Sequence, residues 1–269
     1  MSPILRSTRF LSLATFLALG ACGIDAPTGP MAGTSALNAR KPPRPNPTHD
    51  PILFVHGWNA SSSTWTTMVG RFKNDLWATS ELVNWSYNYR QSNVTTAEQI
   101  KAKVDSIILA TGATKVDIIT HSMGALSARY YIRNLGGDGK VDALITLGGA
   151  NHGTNTAFFC ADTSCIEMRP GSLFLGALNS EDETWGTPRY ATWWSDCDEV
   201  ISPHSSALLL GATNNETTCI SHSQLHESST VYSQVKAWCS NETHRNSTVL
   251  RSEAFLERQS RLSLECPIG

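Results

Sequence analysis

The sequence has no apolar run long enough to span a lipid bilayer, and its formal net charge is only −2 at pH 7. Its lysines and arginines are scattered, which argues against binding of nucleic acid. It contains no Cys-x-x-Cys pair and no Cys/His cluster with the spacing of a zinc site, so we expect no metal. No internal repeat is visible. With 269 residues and 41 % hydrophobic content the chain can bury a sizeable core, most simply as one large domain.

The N-terminal segment has the features of an export signal. Arg6 and Arg9 form a basic start, and Phe10 to Ala21 form an apolar core that is too short for a membrane helix. The end of that core, Leu19-Gly20-Ala21-Cys22, resembles the lipobox of bacterial lipoproteins. The resemblance implies that residues 1–21 are removed and that Cys22 is lipidated. Ordinary cleavage nearby, which would give a secreted protein, is the alternative.

The predicted localisation is therefore the outer surface or the periplasm, with the protein attached to a membrane through acyl chains on Cys22, or otherwise secreted. Residues 22–49 form a predicted disordered tether, because seven of the twelve prolines lie between Pro27 and Pro51. Residues 50–269 form the predicted folded domain.

The cysteine count agrees with export. Removing Cys22 from seven leaves six, an even number that suggests disulfides in an oxidising compartment. Nearest-neighbour pairing predicts the pairs Cys160–Cys165, Cys197–Cys219 and Cys239–Cys266, out of fifteen possible arrangements for six cysteines.

Strand and helix patterns alternate through the predicted domain. Apolar segments predict strands at 51–57, 82–88, 116–120, 141–147, 190–195 and 217–221. Helical spacing predicts helices at 62–78, 94–112, after Ser122 and at 229–239, with Thr95 and Glu98 as a capping box for the second. The alternation of strand and helix patterns is interrupted at residues 151–188, which we interpret as an insertion. Strands separated by helices indicate an α/β fold with a mostly parallel sheet.

One strand-to-helix junction has the pattern of a nucleophile elbow. Thr120-His121-Ser122-Met123-Gly124 keeps the second glycine of G-x-S-x-G, whereas threonine replaces the first. Such a turn exposes a serine hydroxyl at the top of a sheet, beside the positive end of a helix. An ordinary helix N-cap serine is the alternative. The strand–turn–helix context favours Ser122 as a nucleophile, with the Met123 N–H as one donor of an oxyanion hole.

The segments "HSMGA", "FVHGW" and "TLGGANHGT" resemble those of bacterial lipases of the α/β-hydrolase superfamily, especially the triacylglycerol lipases called lipase class 2. The similarity is clear over residues 51–156 and thinner to about 240. It implies an α/β-hydrolase fold, a Ser…Asp…His triad, two backbone amides as the oxyanion hole and no organic cofactor. By the same resemblance, the second oxyanion amide is that of Trp58.

Chain order restricts the acid and the base without choosing them. In this fold both follow the serine, at the ends of later strands, which leaves Asp196 or Asp198 and His222 or His226. The family resemblance favours Asp198 and His226.

The other histidines have structural interpretations. We expect His56 to support its loop through hydrogen bonds and His121 to be structural. His152 either satisfies buried carbonyls or lines the site. His204 is too close to the acid, and His244 falls in the polar tail.

Apolar residues near the expected mouth predict a substrate groove that includes Phe158, Phe159 and Trp185. Leu173, Phe174 and Leu175 form either a lid or a small core of the insertion. The predicted function is hydrolysis of carboxylic esters of lipids, or of other water-insoluble esters, by a monomer through an acyl-enzyme on Ser122. A lipid acyltransferase, a polyester hydrolase and a non-catalytic surface-binding protein are the alternatives.

Overall fold

The computed structural model describes residues 49–240, which form alternating strands and helices. The strands are β1 (Ile52–Val55), β2 (Leu82–Asn84), β3 (Val116–His121), β4 (Val141–Leu147), β5 (Arg189–Trp194) and β6 (Thr213–Glu216). The helices are α1 (Thr66–Asn74), α2 (Asn93–Thr111), α3 (Gly124–Asn134), α4 (Thr163–Met168), α5 (Leu173–Leu178), α6 (Gln224–Glu227) and α7 (Ser229–Cys239). Short 3₁₀ turns lie at Ser62–Trp65, Thr79–Glu81, Asn155–Phe159 and His204–Ala207.

The six strands form one sheet in the order β2-β1-β3-β4-β5-β6, and every neighbouring pair is parallel. The predicted α/β class with a parallel sheet is confirmed. In a parallel sheet the carboxyl ends of all strands meet at one edge, which is where such folds place their binding sites. The turns after β1, β3, β4, β5 and β6 therefore share this edge.

Both faces of the sheet are covered by helices. Successive side chains along each strand point alternately to one layer of helices and to the other. Ile52 and Phe54 of β1 pack in one cluster with residues of α1 and α7. Leu53 and Val55 point to the other face, where they pack with residues of α2 and α3. Near-continuous apolar strands are what a parallel sheet covered on both faces requires.

Two predicted elements differ from the structure. The last strand is β6, at Thr213–Glu216, whereas the predicted segment 217–221 is a loop. The segment "TNNE" has no apolar alternation, and as an edge strand it can remain polar. Helix α2 begins at Asn93 with Ser92 as its N-cap, so the predicted capping box of Thr95 and Glu98 is wrong.

The N-terminus of α2 is capped from the insertion. The Glu167 carboxylate accepts hydrogen bonds from the Asn93 backbone N–H at 2.6 Å and from the Ser92 hydroxyl at 2.5 Å. A carboxylate at this end satisfies free N–H groups and complements the helix dipole. The insertion is thus attached to the main domain by a charged contact 74 residues away in sequence.

The segment between β4 and β5 packs against α3 and does not stand apart from the domain. Leu175 and Leu178 of α5 are buried in a cluster that includes Leu126 of α3, while the Phe174 ring stacks on Tyr130. Leu173 is 94 % exposed. The sequence predicted either a lid or a small core for this segment, and the burial of Leu175 agrees with a core. Within residues 49–240, no helix combines the length and the apolar character needed to cross a bilayer.

The sheet also contains a buried carboxyl group, Asp117 of β3, which is fully enclosed. Neither of its oxygens forms a well-aligned hydrogen bond within the described residues. Burial, followed by the nearby Asp50 and Asp142 carboxylates, raises the pKa of Asp117 well above its ordinary value of 3.8. Arg189 and the neighbouring Cys239 thiol oppose this rise without cancelling it. A carboxyl group with such a pKa stabilises the fold only while it is protonated.

We expect Asp117→Asn to change the pH dependence of stability. The contribution of Asp117 is fully present below pH 3.8 and is lost as the pH rises through its folded pKa, because the folded state then ionises a buried group. Relative to wild type, the unfolding free energy of the variant should increase from pH 4 to pH 8, because the variant has no buried carboxyl group to ionise. Urea unfolding at both pH values measures this difference. Parallel pH dependence of the two proteins would contradict it.

Candidate active site

Ser122 lies on a sharp turn between β3 and α3. Its φ of +55° is in the left-handed region, which is uncommon for a residue other than glycine and recurs at functional sites. The Ser122 N–H donates to the Leu147 carbonyl at 3.0 Å, and its own carbonyl accepts from the Ala125 N–H at 3.2 Å. These bonds hold the turn against β4 and the first turn of α3. The predicted elbow geometry is therefore present at this position.

The neighbours of Ser122 explain why the sequence tolerates this turn. A Cβ on Gly124 would lie 2.6 Å from the His56 carbonyl oxygen and 2.7 Å from that of Val55, so no larger residue fits. Thr120, which stands where the pattern has its first glycine, is buried, and its hydroxyl donates to the Ile145 carbonyl at 3.2 Å. The threonine is accommodated by a bond to the next strand.

The Asp198 carboxylate is buried and fully bonded. One oxygen accepts from the backbone N–H groups of Val200 and Ile201, both at 2.9 Å, and the other accepts from His222 Nδ1 at 2.7 Å. Burial alone would raise the pKa of Asp198, but the bonds from His222, Ile201 and Val200 outweigh it and lower the pKa. Asp196, the alternative acid, is exposed.

His222, and not His226, is the histidine that contacts the acid. The expected pairing of Asp198 with His226 is wrong, because His222 lies in the loop before α6 and reaches the carboxylate directly. His226 lies inside α6, where its Nδ1 is 3.4 Å from Glu227. The bond from Nδ1 to Asp198 leaves Nε2 of His222 as the nitrogen that can accept a proton.

Three histidine rings cluster beside Ser122. His121 Nε2 donates to the His222 carbonyl at 3.0 Å, and the two rings lie 4.4 Å apart. His226 packs edge-on against His121 at 4.6 Å. Burial lowers the pKa of His121 well below its ordinary value, as do the neighbouring rings of His222 and His226. Burial also lowers the pKa of His226, with Glu227 partly opposing. Both rings are therefore uncharged at neutral pH; His121 packs directly against His222, and His226 packs against His121.

The turn after β1 lies directly against Ser122. A Cβ on Gly57 would be 2.8 Å from the Ser122 Cβ and 3.4 Å from its Oγ. His56 holds this turn: its Nδ1 donates to the Gly57 carbonyl at 2.8 Å, and its Nε2 accepts from the Tyr87 N–H at 3.3 Å. The Tyr87 ring stacks on His56, and its hydroxyl donates to the His56 carbonyl. Both ring nitrogens of His56 are occupied, so His56 supports its loop as expected.

Ser122 and His222 line one cleft with a volume of about 440 Å³. The wall residues are mostly apolar or uncharged and include Trp58, Ala60, Thr64, Thr156, Ala157, Phe159, Met168 and Val200. An apolar cleft with a few convergent polar groups is the usual form of a small-molecule site. Of the three predicted groove residues, Phe159 lines the cleft and is 92 % exposed.

The remaining predicted groove residues lie elsewhere. Phe158 is exposed outside the cleft wall, with the Arg169 guanidinium over its ring. The interpretation of Trp185 as a groove residue is wrong, since its ring packs against Arg133 on another surface. His152 bonds Glu183 at 2.8 Å and does not contribute to the cleft wall. The sequence alone therefore could not show which aromatic residues of the insertion line the groove, because that depends on the path of the chain.

Comparison with known sequences identifies the family. The family described as Lipase (class 2) matches residues 49–247, which is well over half of the chain. The chain belongs to the class 2 lipase family. A triacylglycerol lipase of Burkholderia plantarii is 28 % identical over 216 residues, a match that covers 76 % of this chain. The match spans 56 % of the length of that lipase.

Solved structures of two lipases have the fold of this chain. The mature Bacillus licheniformis lipase BlEst2 superimposes with a TM-score of 0.60 at 18 % identity, covering 68 % of this chain and 89 % of that one. Aspergillus fumigatus lipase B superimposes with a TM-score of 0.59 at 18 % identity, covering 66 % and 49 %. At such identity the likeness concerns the α/β-hydrolase fold, which confirms the fold class.

Two of the three expected disulfides are formed in the structure. Cys160–Cys165 closes a loop beside the cleft, and Cys197–Cys219 joins the loop that carries Asp198 to the segment before His222. Cys239 is a buried free thiol within residues 49–240, and its expected partner, Cys266, lies outside the described residues.

Removing the Cys197–Cys219 bond with the double variant Cys197→Ser/Cys219→Ser should destabilise the folded domain by about 3 kcal/mol. The bond spans 22 residues, and the loop-entropy account gives that value for a loop of this size. Guanidinium unfolding of wild type and variant checks the number. An unchanged unfolding free energy would mean that the loop is held by its other contacts alone.

Proposed function

We propose that the chain is a serine hydrolase that cleaves carboxylic esters of lipids through an acyl-enzyme on Ser122. The observation that carries the proposal is the placement of Ser122 on a strained turn in the same cleft as a histidine whose Nδ1 is held by a buried carboxylate. Membership of the class 2 lipase family, similarity to a triacylglycerol lipase and the apolar cleft wall support lipid esters, including triacylglycerols, as substrates.

The proposed reaction has two stages. Ser122 Oγ attacks the ester carbonyl carbon while His222 Nε2 takes the hydroxyl proton, and Asp198 stabilises the resulting imidazolium. The C–O bond to the alcohol then breaks, and His222 returns the proton to the departing alkoxide. A water molecule, deprotonated by the same nitrogen, attacks the acyl carbon; the bond from that carbon to Ser122 Oγ then breaks, His222 returns the proton to Oγ, and the carboxylic acid leaves.

The oxygen that becomes negative in each stage needs preorganised donors. The N–H groups of Met123, at the N-cap of α3, and of Trp58, in the turn against Ser122, are the proposed oxyanion donors. The positive end of α3 favours the same charge.

The experiment combines substrates with an active-site label. Purified protein should hydrolyse p-nitrophenyl esters and emulsified triacylglycerol, and one equivalent of a p-nitrophenyl phosphonate should abolish both activities. Peptide mapping should locate the phosphonate on Ser122. Hydrolysis that persists after full phosphonylation of Ser122, or an adduct on another residue, would contradict the proposal.

We also propose that the protein is exported and attached to a membrane through acyl chains on Cys22. The lipobox-like segment before Cys22 supports this, and the two disulfides are compatible with an oxidising compartment. In a bacterial host, radioactive palmitate should label wild type and not Cys22→Ala. Equal labelling of both proteins, or of neither, would contradict lipidation at this cysteine.

A further inference from the structure

The Trp58 side chain is attached to the insertion by a long-range hydrogen bond. Its indole Nε1 donates to Asp162 Oδ2 at 2.9 Å, across 104 residues of sequence. Its ring meets the edge of Tyr89 at 5.7 Å, and the residue remains 36 % exposed. Core packing therefore does little to fix Trp58, which makes the bond to Asp162 the specific contact that holds its side chain.

The backbone between Gly57 and Trp58 is held by a separate hydrogen bond. The Gly57 carbonyl and the Trp58 N–H belong to one planar peptide unit, so they point in opposite directions. His56 fixes the carbonyl end by donating to the Gly57 oxygen at 2.8 Å. The Trp58 Cα is the opposite corner of the same unit, and its side chain ends on Asp162. Two contacts thus restrain the plane that carries the Trp58 N–H.

Asp162 is presented by a closed and cross-linked loop. It lies between the two cysteines of the Cys160–Cys165 disulfide, and its carbonyl accepts from the Ile166 N–H at the start of α4. Its second carboxylate oxygen is 3.8 Å from the Arg90 guanidinium, and the side chain is only 20 % exposed. The Asp162 carboxylate is therefore held by contacts other than the one to the Trp58 indole, which makes it a preorganised acceptor.

We propose that Asp162 is a positioning residue of the oxyanion site. It holds the Trp58 indole, and through it the Trp58 N–H, in the orientation that receives the charge developing on the substrate oxygen. This inference rests on the proposed function. It assigns to the insertion a role in the rate of the chemical step, in addition to its role as a wall of the cleft.

The first test is the steady-state hydrolysis of p-nitrophenyl butyrate by single variants. Asp162→Ala should lower kcat by about 10-fold with KM within about 2-fold, because small displacements of a catalytic group reduce the rate more than the binding of the ground state. Asp162→Asn keeps an oxygen acceptor and should restore kcat to within about 3-fold of wild type. Asp105→Ala, which removes a surface carboxylate paired with Lys140 and Lys101, is the matched control.

The second test is a double-mutant cycle with Trp58→Phe, which keeps an aromatic ring and removes the indole N–H. Trp58→Phe should resemble Asp162→Ala, and the double variant should be no slower than either single variant. Affinity for a phenylboronic acid, which forms a tetrahedral adduct on the serine, should fall by the same factor as kcat. If Asp162→Ala does not fold, Trp58→Phe alone still tests the inference, because it removes the same hydrogen bond from the other side, and an unchanged kcat in that variant would overturn it.

Three results would overturn the inference: unchanged kcat in Asp162→Ala, an Asp162→Asn variant as slow as the alanine variant, or multiplicative effects in the double variant. Failure of the proposed function gives a different pattern, in which wild type is inactive or a phosphonate does not label Ser122. A wild type that is active and labelled, with an unaffected Asp162→Ala variant, would refute the inference alone.

Discussion

Replacing Ser122 by alanine is expected to lower kcat for p-nitrophenyl butyrate by about 10⁶-fold, the loss seen when the nucleophile of such a triad is removed. Alanine keeps the Cβ and has the same steric tolerance of a φ of +55°, so the turn and the cleft should remain. The loss is therefore chemical: no acyl-enzyme can form, and only uncatalysed attack by water within the oxyanion site is left.

Ser106→Ala is the matched control, since Ser106 is an exposed serine of α2 outside the cleft. It should keep kcat within about 2-fold of wild type, as surface substitutions usually do. The measurement requires the Ser122→Ala variant to show an unchanged circular dichroism spectrum and unfolding midpoint. A loss smaller than about 100-fold in a folded variant would exclude Ser122 as the nucleophile.

The second large effect separates two neighbouring histidines. His222→Ala should lower kcat by about 10⁶-fold, because the proposed triad then lacks the base that takes the serine proton. His226→Ala should lower it by no more than about 10-fold, because His226 contacts Glu227 and the His121 ring but not Asp198. The residual effect of His226→Ala would come from loosened packing around His121, which holds the His222 carbonyl.

The kinetics of both variants are measured on the same ester with folded protein. The two substitutions remove the same imidazole from positions four residues apart, so each is the control for the other. If His226→Ala caused the million-fold loss and His222→Ala the small one, the contact between His222 and Asp198 would have no catalytic meaning.

The sheet and the elbow were predictable because both depend on local patterns. Apolar strands alternate with amphipathic helices through residues 51–147, and the junction at Ser122 lies within one strand and one helix. The edge strand β6 was missed because "TNNE" is polar, and an edge strand needs no apolar alternation. Local sequence patterns therefore predict the buried strands but not the polar strand at the edge of the sheet.

The base could not be chosen from pattern alone, because His222 and His226 both follow the last strand. One signal was available: the predicted Cys197–Cys219 bond. Its two cysteines have Cα atoms 5.0 Å apart, which brings the residue after Cys197, Asp198, close to the segment three residues before His222. His226 lies a full helical turn farther along α6. Used as a distance restraint, the disulfide favours His222.

The bond between Trp58 and Asp162 and the cap of α2 by Glu167 had no signal in the sequence. Each joins residues more than 70 positions apart, and each depends on the path of the insertion over the domain. The same long-range path explains why Trp185 was wrongly assigned to the groove. Composition indicates an insertion, but only the folded chain shows which of its side chains meet the site.

The central claim is that Ser122 reacts because His222, held by Asp198, takes its proton. The most direct measurement is the time course of Ser122 phosphonylation, followed by intact mass for wild type, His222→Ala and His226→Ala. This single covalent step depends on the nucleophile and its base and not on product release. We predict rapid, stoichiometric labelling of wild type and His226→Ala, and labelling of His222→Ala slowed by at least about 10³-fold. Equal labelling rates for wild type and His222→Ala would contradict the account.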